Sequence, residues 1–488
     1  MKLNELLKDT TYKVLQGNEE INVTDIVQDS RKAIPGVVFV CIKGSNFDGH
    51  DMIEDVLHAG VTVLVVERKV EVPPDITVIL VENSRKALAH MACAYFGYPA
   101  RQLKTIGITG TKGKTTTSYM VKYILEHSGI KTGLIGTIEV LVGEEKIDSK
   151  NTTPEAYTLQ KYLRKMVDAG CEAVVMEVSS QGLMLDRVTG IEYDYGVFTN
   201  ISPDHIGPNE HSSFEDYIHC KSLLFRQCKT GIINIDDDNY ERIMKDHTCK
   251  IETFGLSGKA DLRATELSLY RKDSALGIRF HVEGAMNFEV KLNMPGVFNV
   301  HNALCAIGIC RHFDIQIKDI IQVFETNKIK GRLELYNIDK PYSIIIDYAH
   351  NEVSLKELLS TFKEYNPKRL VCVFGCGGNR SKLRRYEMGS VSARLADLTI
   401  VTSDNPRFEE PKAIIDDIVS SVEKENGEYI AIEDRREAIK YAVENAIPGD
   451  IIVLAGKGHE LYQEVKGEKF PMDERKILKN VFDQLENR

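Results

Sequence analysis

The sequence lacks any long hydrophobic run. Its longest apolar stretches, such as Ile451–Ala455, are far shorter than the ~20 residues that a membrane-spanning helix needs. The amino-terminal residues, MKLNELLKDTTYK, are charged throughout and contain no apolar stretch of about 7–15 residues like that of a secretory signal peptide. We therefore expect no targeting segment and no insertion into a membrane.

Cysteine pairs with the spacing of a metal site are also missing. The two cysteines that lie closest together, Cys372 and Cys376, are too far apart for a CxxC knuckle. A disulfide framework is not expected in a chain of 488 residues, because disulfides support mainly small secreted domains. We predict reduced thiols and a cytoplasmic location.

Positive charge is not in excess. Lys and Arg number 62 against 72 Asp and Glu, for a net charge of −10, so no nucleic-acid partner is expected. Repeats and low-complexity segments are absent from the sequence as well. Hydrophobic residues make up 43% and charged residues 27%, proportions that are typical of folded domains and exclude a disordered chain.

What the sequence does contain is a repeated alternation of short β-branched runs with amphipathic stretches. This alternation predicts an α/β protein with parallel sheets of the doubly wound type. Helical patterns lie at 115–127, 157–169 and 354–365. Buried strands are predicted at Val61–Val66, Thr105–Thr109, Ala173–Val178, Ile232–Ile235, Ser343–Asp347, Leu370–Phe374, Leu398–Thr402 and Ile451–Ala455.

Two changes of pattern suggest domain boundaries. One follows a predicted helix end at Tyr98-Pro99, and the other lies in the basic, glycine-containing link Lys328–Glu334. We predict domains over residues 1–100, 101–332 and 333–488. Within the middle domain, alternating patterns over residues 260–297 predict antiparallel strands.

The strongest local motif is a glycine-rich loop between a strand and a helix. A strand from Lys104 leads into the loop Gly110-Thr-Lys-Gly-Lys-Thr-Thr116. Backbone N–H groups of such a loop surround an anion, and the helix amino terminus adds partial positive charge. We expect nucleotide phosphates here, with Lys114 reaching the outer phosphates and Thr115 ligating Mg²⁺. A glycine-rich turn with a surface lysine is the alternative.

Further along the chain, three residues fit a magnesium–nucleotide site. Glu177 follows an apolar strand, where an oxygen ligand for Mg²⁺ is expected, and His205 lies in the loop after another strand. Lys221 shares the apolar face of an amphipathic helix with Tyr217, and an inward-pointing lysine needs a partner or a modification that changes its charge. The alternatives are a turn cap for Glu177, a structural histidine and a surface lysine.

These motifs occur in the same order in the Mur ligases, and the chain resembles that family over essentially its whole length. Mur ligases are ATP-dependent ligases that build the peptide stem of the bacterial cell wall. Further matching motifs are Asp29-Ser-Arg31, Asn151–Glu155, Asp347–His350, Ser403–Arg407 and Gly456–Glu460. The resemblance implies a three-domain architecture, with a central P-loop parallel-sheet ATPase domain and a Rossmann-like carboxyl-terminal domain.

The resemblance also implies a role for each matching residue, with ATP and Mg²⁺ as cofactors. Catalysis would depend on Lys114, Glu177, His205 and Lys221, and the metal ligands would be Thr115, Glu177, His205 and a carbamylated Lys221 (N6-carboxylysine). ATP would contact Gly110, Thr111, Lys112, Gly113, Lys114, Thr115, Thr116, Asn299, Asn302, Arg332 and Asp347. The UDP-N-acetylmuramoyl dipeptide would contact Ser30, Asn151, Thr152, Thr153, Ser179 and Arg187. We expect a monomer.

The amino acid that is added follows from the carboxyl-terminal motifs. In this family Asp-Asn-Pro-Arg marks enzymes that take meso-diaminopimelate, and an arginine suits the distal carboxylate that lysine lacks. The implied amino-acid site consists of Arg385, Asp404, Asn405, Pro406, Arg407, Gly456 and Glu460. An Asx-type turn is the alternative for Asp404–Pro406 taken alone.

Some positions depart from the family pattern, namely Lys112, Gln181, Leu185, Asn379, Tyr386 and the loop from 206 to His211. They leave the ATP chemistry intact but cluster near the acceptor and amino-acid pockets. A divergent Mur ligase that adds L-lysine or another diamino diacid, or that acts outside the cell-wall pathway, therefore stays open.

Three other classes of protein compete with this interpretation. A P-loop switch or motor would not explain the Asn151 and Asp404 motifs. A dinucleotide oxidoreductase is suggested by Gly375–Gly378, but the spacing is not G-x-G-x-x-G. Folylpolyglutamate and cyanophycin synthetases share the ATP core, although the amino-terminal motifs argue against the folate enzyme.

Overall fold

The computed structural model describes residues 1–44, 47–204, 206–207, 210–272, 275–326, 328–336 and 339–486. The chain forms two compact units. The first unit comprises Met1–Arg263 and Leu304–Asp319, and the second comprises Ala264–Ala303 and Ile320–Arg488. Each is described by itself below.

The amino-terminal part of the first unit is a five-stranded sheet in the order β1-β5-β4-β3-β2. Strands β2 to β5 are parallel, and β1 pairs with β5 in the antiparallel sense. The strands are β1 Tyr12–Gln16, β2 Asp25–Val27, β3 Val37–Val40, β4 Val63–Val66 and β5 Thr77–Val81, and the helices are α1 Leu3–Leu6, α2 Ile53–His58 and α3 Ser84–Tyr95.

The first unit also contains eight complete strands of a larger sheet, in the order β13-β12-β11-β6-β10-β7-β8-β9. Its strands are β6 Lys104–Thr109, β7 Thr132–Ile135, β8 Glu139–Val142, β9 Glu145–Asp148, β10 Ala173–Glu177, β11 Tyr193–Phe198, β12 Cys228–Asn234 and β13 Lys250–Gly255. All pairings are parallel except those of β8 and β9. The helices are α4 Lys114–His127, α5 Ala156–Asp168, α6 Ser180–Met184, α7 Phe214–Ser222 and α8 Tyr240–Met244.

The segment that crosses between the units contains long strands and two helices. These elements are β14 Leu262–Lys272, β15 Ala275–Gly284, β16 Phe288–Leu292, α9 Val297–Cys310 and α10 Ile317–Thr326. Strands β15 and β16 pair in the antiparallel sense, with Phe280 opposite Val290. The predicted antiparallel strands in this segment are therefore confirmed.

The second unit is built on a six-stranded sheet in the order β17-β18-β22-β19-β20-β21, with only β17 antiparallel. The strands are β17 Glu334–Tyr336, β18 Ser343–Asp347, β19 Leu370–Phe374, β20 Leu398–Val401, β21 Tyr429–Ala431 and β22 Ile451–Ala455, followed by a hairpin of β23 Tyr462–Val465 and β24 Glu468–Pro471. The helices are α11 Glu352–Lys363, α12 Leu383–Leu395, α13 Pro411–Lys424, α14 Arg435–Glu444 and α15 Glu474–Glu486.

Helices cover both faces of this sheet because successive strand residues point to opposite sides. Ile345 packs into the core formed with α11, α12 and α13, whereas Ile344 and Ile346 pack into the core formed with α14 and α15. The buried strands predicted from the sequence all form, with ends that differ by a few residues. The doubly wound α/β prediction is confirmed.

The division at residues 100 and 332 stays a prediction, because the two compact units do not correspond one to one to three segments. The ten cysteines are buried free thiols. Among the described residues, no helix combines the length and the apolar character needed to cross a bilayer.

Candidate active site

The glycine-rich loop connects β6 to α4 at the carboxyl edge of the larger sheet. Gly110 has φ +151°, and a Cβ atom there would lie 1.9 Å from Thr199 Oγ1. Gly113 precedes the first residue of α4 with φ +82°, a left-handed conformation that glycine adopts at little cost. The loop therefore requires glycine at both positions, and the helix amino terminus opens toward it.

Residues after β11 support this loop from the neighbouring strand. The Lys112 N–H donates to Asn200 Oδ1 (2.9 Å), and the Lys112 carbonyl accepts from Thr199 Oγ1 (2.7 Å). The Thr111 N–H donates to the Asn200 carbonyl (2.9 Å). Lys112, which departs from the family pattern, is thus held in this loop through its backbone.

Lys114 is the first residue of α4, and its side chain folds back onto the loop. Its Nζ donates to the carbonyls of Gly110 (2.7 Å) and Thr111 (3.0 Å). These carbonyls hold the ammonium group beside the N–H groups that would surround a phosphate, and that is the position where it can neutralise an outer phosphate.

Glu177 ends β10 beside the loop and is 1% exposed. Its Oε2 accepts from Thr115 Oγ1 (3.0 Å) and Thr137 Oγ1 (2.9 Å), and its Oε1 accepts from the Thr137 N–H (2.9 Å). The hydroxyl and carboxylate oxygens of Thr115 and Glu177 therefore lie side by side, and this all-oxygen donor set suits Mg²⁺. Thr137 is a contributor that the sequence motifs did not indicate.

Lys221 is buried at 1% exposure on α7. Its Nζ donates to the Gly110 carbonyl (2.9 Å) and lies 4.5 Å from the centre of the Tyr217 ring. Burial lowers the pKa of Lys221 well below its usual range, and the nearby Lys114 ammonium lowers it further. The inward orientation predicted from the helix pattern is thus observed, whereas His205 lies outside the described residues.

Three of the residues predicted for the UDP-muramoyl substrate come together beyond Glu177. Thr153 Oγ1 donates to the Glu177 carbonyl (2.9 Å) and accepts from the Ser179 N–H (2.9 Å), and Arg187 Nη1 donates to the Thr153 carbonyl (3.0 Å). Thr152 shares a hydrogen bond of 3.0 Å with Thr137. Among the remaining predicted residues, Asn151 is exposed beside them and Ser30 begins a short 3-10 helix (Ser30–Lys32) after β2.

His211 connects this substrate segment to α7. Its imidazole is fully buried, shares a hydrogen bond of 2.8 Å with Ser180 Oγ, and packs 5.0 Å from the Tyr217 ring. The Tyr217 hydroxyl in turn shares a hydrogen bond of 3.2 Å with Thr111 of the glycine-rich loop. The sequence marked His211 only as part of a divergent loop, so its structural role was missed.

In the second unit, a group of buried polar residues surrounds the loop after β20. Asn405 Nδ2 donates to Glu460 Oε2 (2.9 Å), and Lys457 Nζ donates to both Asn405 Oδ1 and Glu460 Oε2 (2.8 Å each). A Cβ on Gly456 would lie 2.9 Å from Asp404 Oδ2. Burial by itself would raise the pKa of Glu460, but the Lys457 ammonium lowers it, and the net pKa is below its ordinary value. Glu460 therefore stays anionic.

Arg407 follows Pro406 at the end of the same loop. Its Nε donates to Glu464 Oε2 (3.1 Å), and its Nη1 donates to the Gly378 carbonyl (2.7 Å). Arg385 is placed differently, because it is 1% exposed and donates to Glu409 (2.7 Å) and Asp417 (2.9 Å). The hydrogen bond from Arg385 lowers the pKa of Glu409.

Thr116 lies on α4, and four further residues predicted for ATP lie in the second unit. Asn299 Nδ2 donates to the Pro295 carbonyl (2.7 Å), and Asn302 Nδ2 donates to Asn299 Oδ1 (3.0 Å). Asp347 accepts from two backbone N–H groups (2.8 Å each), and the Arg332 guanidinium lies 5.2 Å from the Tyr348 ring centre. Their contact with nucleotide stays a prediction.

Comparison with known proteins identifies the family. Three family models match successive segments: the Mur ligase family catalytic domain at residues 22–96, the Mur ligase middle domain at 108–310 and the Mur ligase glutamate ligase domain at 331–458. A curated relative from Clostridium perfringens, named UDP-N-acetylmuramoyl-L-alanyl-D-glutamate--2,6-diaminopimelate ligase, is 44% identical over 100% of both chains. This chain belongs to the Mur ligase family.

Other relatives agree with this membership. The ligase of the same name from Clostridium tetani is 43% identical over 99% of this chain and 100% of its own. A solved structure titled as a diaminopimelate ligase of that name has a TM-score of 0.74 at 26% identity, covering 100% of this chain and 99% of its own. The three-domain Mur ligase architecture is confirmed.

One comparison bears on a competing interpretation. A Mycobacterium tuberculosis folylpolyglutamate synthase has a TM-score of 0.60 at 16% identity, over 76% of this chain and 92% of its own. At that identity the likeness shows the fold alone, so it does not move the chain out of the Mur ligases. The switch and oxidoreductase interpretations are wrong.

Two of the positions where this Mur ligase departs from its family, Asn379 and Tyr386, have local partners. Asn379 has φ +54°, and its Oδ1 accepts from the Phe408 N–H (3.1 Å), which ties it to the residue after Arg407. Tyr386 donates its hydroxyl proton to Asp417 (3.1 Å), the same carboxylate that Arg385 contacts. These substitutions therefore extend the packing behind the amino-acid loop.

Proposed function

We propose that this Mur ligase adds meso-2,6-diaminopimelate to UDP-N-acetylmuramoyl-L-Ala-D-Glu, with ATP and Mg²⁺, in peptidoglycan biosynthesis. The observation that carries the proposal is the full-length similarity, at 44% identity, to a curated relative named for that reaction. The Ser403–Arg407 loop and its partners add charged and polar side chains suited to a diamino diacid.

Charge balance determines the first half of the reaction. The dipeptide carboxylate must attack the γ-phosphorus of ATP, and ADP leaves as the acyl phosphate forms. Lys114, the loop N–H groups and the start of α4 stabilise the negative charge that develops on the phosphoryl oxygens. When bound at Thr115 and Glu177, Mg²⁺ would supply further neutralisation of the same oxygens.

The second half joins the amino acid. The deprotonated amine attacks the acyl carbon, an amide forms and phosphate leaves. Asp404, Asn405 and Glu460 supply acceptors for amino groups, and Arg407 supplies a donor for the distal carboxylate. The amine is bound before it reacts, so the pocket reduces the entropic cost of bringing the two reactants together.

The buried Lys221 fits carbamylation. A lysine with a lowered pKa is more often neutral, and the neutral amine is the form that adds to CO₂, which gives a carbamate and releases one proton. The product is an anion next to the glycine-rich loop, where Lys221 Nζ lies 2.9 Å from the Gly110 carbonyl. His205 and this carbamate would complete the metal ligands.

The proposed partners are the UDP-muramoyl dipeptide and the diamino acid. The substrate segment around Thr153, Ser179 and Arg187 would hold the former, together with Ser30, Asn151 and Thr152. We place the reaction in the cytoplasm and expect a monomer to suffice for it, since the residues proposed for all three substrates come from one chain.

The proposal is tested by phosphate release from ATP with the UDP-muramoyl dipeptide. Three reactions are compared: with meso-diaminopimelate, with L-lysine and with no amino acid. We expect release that depends on diaminopimelate. Phosphate release with lysine but not with diaminopimelate would overturn the substrate assignment and favour a divergent family member. The same holds if neither amino acid supports release. Product mass then identifies the amide.

A further inference from the structure

The hairpin of β23 and β24 holds the amino-acid loop in place. Gln463 Nε2 donates to the Asp404 carbonyl (2.7 Å), and the Glu464 N–H donates to Asn405 Oδ1 (2.9 Å). The Arg407 N–H donates to the Glu464 carbonyl (3.0 Å), and the Lys466 N–H donates to the Arg407 carbonyl (2.6 Å). The conformation of the loop is therefore imposed by a segment about 60 residues further along the chain.

Arg407 is held by this hairpin through both its backbone and its side chain. Its backbone has φ +53°, a left-handed conformation that is costly for an arginine and persists where surrounding contacts enforce it. The Glu464 carboxylate accepts from Arg407 Nε (3.1 Å), and the two side chains are only 23% and 26% exposed. The pair is thus largely shielded from water, which strengthens the attraction.

The two hydrogen bonds leave one end of the guanidinium available for recognition. Nε donates to Glu464, and one Nη1 proton is directed at the Gly378 carbonyl (2.7 Å). A guanidinium has five N–H donors, and these two bonds use two of them. The end that carries Nη1 and Nη2 keeps donors for one further carboxylate in the bidentate arrangement that arginine favours.

We propose that Glu464 is a specificity-determining positioning residue for the amino-acid substrate. Its carboxylate aligns Arg407 in advance, so that the end of the guanidinium meets the distal carboxylate of a diamino diacid. L-Lysine lacks this carboxylate and gains nothing from the alignment. The inference rests on the proposed function and deepens it, because it names a residue outside the family motifs that determines selectivity.

Alignment and charge make opposite predictions for two variants. Glu464→Gln keeps an acceptor oxygen for Arg407 Nε at the same length but removes the negative charge. Glu464→Ala removes both, and it frees a long side chain that must then be ordered when substrate binds. If alignment of Arg407 is the main effect, Glu464→Gln keeps the KM for diaminopimelate of the unmodified enzyme, whereas Glu464→Ala raises it.

The test measures KM and kcat for meso-diaminopimelate and L-lysine by phosphate release. For Glu464→Ala we expect KM for diaminopimelate to rise at least ~10-fold with kcat within ~3-fold, and lysine turnover to stay unchanged. Glu464→Gln should stay within ~3-fold of the original enzyme. The matched control is Glu468→Ala, an exposed residue opposite Val465 in the same hairpin, which should change neither constant.

A double variant tests whether Glu464 affects KM through Arg407. If Glu464 acts through Arg407, the variant Arg407→Ala/Glu464→Ala should have the same KM for diaminopimelate as Arg407→Ala alone. Additive increases would overturn the proposal, as would an unchanged KM in Glu464→Ala or equal losses for both amino acids. KM does not depend on the active fraction, so partial misfolding does not imitate the expected result.

If Glu464→Ala does not fold, Glu464→Asp replaces it. This variant keeps the charge but shortens the side chain by one methylene, and the same rise in KM is expected because the carboxylate no longer reaches Nε. An unchanged KM would overturn the proposal. Absence of diaminopimelate turnover in the unmodified enzyme would instead overturn the proposed function and this inference together.

Discussion

The glycine-rich loop of the first unit and the amino-acid loop of the second are both short segments after parallel strands, but they are built differently. The first is shaped by its own glycines and by Thr199 and Asn200, which follow the neighbouring strand β11. The second is held by ion pairs and hydrogen bonds from Lys457 and the β23–β24 hairpin. Under the proposed function, phosphate binding would therefore depend on backbone geometry, whereas amino-acid choice would depend on side-chain charge.

The difference has a physical cause. A phosphate is a compact anion, so backbone N–H groups and a helix amino terminus suffice to bind it. Amino acids differ at their distal ends, and only specifically placed side chains distinguish one end from another. Substitutions should accordingly affect the first loop through sterics and the second through charge.

The largest effect is expected for Gly110→Ala. The new Cβ would lie 1.9 Å from Thr199 Oγ1 at a backbone conformation of φ +151°, so the loop must move. Displacement of the phosphate cradle by about 1 Å should lower kcat/KM for ATP at least ~100-fold, measured by phosphate release. Gly258→Ala is the matched control, because a Cβ there has nothing within 4 Å, and it should retain full activity. Equal activity in the two variants would contradict the steric interpretation.

Lys221→Ala tests the part of the phosphate site that depends on side-chain charge. Loss of the proposed carbamate should reduce kcat by about 100-fold, and short carboxylates added to the buffer should restore part of it. The rates are measured by phosphate release with and without acetate or formate. Lys161→Ala, at an exposed position on α5, is the control. Full activity in Lys221→Ala would remove the carbamate from the proposal.

Arg407→Ala tests the amino-acid loop directly. Without the guanidinium, kcat/KM for meso-diaminopimelate should fall ~10- to 100-fold, because a paired carboxylate is left without its donor. Turnover of L-lysine, however slow, should change much less. The two amino acids are compared on one preparation by product mass. Equal losses would mean that Arg407 supports the loop rather than the substrate carboxylate.

The smallest expected effect is that of one histidine of the second unit, His459, on the pH dependence of the free energy of unfolding. Burial, with the nearby Arg332, lowers the pKa of His459 to about 4. An unfolded histidine has a pKa near 6.5 and takes up a proton first, so stability is lost as pH falls from about 6.5 toward 4. Between pH 6.5 and 5 the free energy of unfolding should drop by about 1–2 kcal/mol more in the unmodified enzyme than in His459→Gln.

That prediction is checked by urea unfolding of the whole chain and of the His459→Gln variant at pH 6.5 and pH 5. Glutamine does not titrate, so the variant isolates the contribution of one histidine from the other groups that bind protons. Identical pH dependences would show that His459 is protonated without cost in the folded enzyme.

Much of the fold follows from periodicity. Strands such as Leu370–Phe374 are continuous apolar runs, because both of their faces are covered by helices, and such runs are easily recognised. The division into compact units was not predictable in the same way. The strand Leu262–Lys272 and the helix Val297–Cys310 each cross between units, and their sequence patterns do not change at that point.

The candidate site shows the same limit. Gly110, Lys114 and Glu177 were found because they stand in contiguous motifs beside strand ends. Thr137 and His211 were missed, since nothing in their neighbouring residues indicates contact with Glu177 or Ser180. Arg385 matched a motif, yet the structure pairs it with two carboxylates that the motif does not include.

The sequence by itself determined the fold class, the family and the phosphate loop, because each rests on local order: a period, a motif or a glycine where the backbone requires one. Only the tertiary structure decided which charges meet. Whether Lys221 reaches the Gly110 carbonyl, whether Arg407 is paired with Glu464 and whether Lys457 reaches Asn405 depend on segments distant in the chain. Electrostatic energy depends on distance in space and on burial, and neither is encoded at a fixed spacing in the sequence.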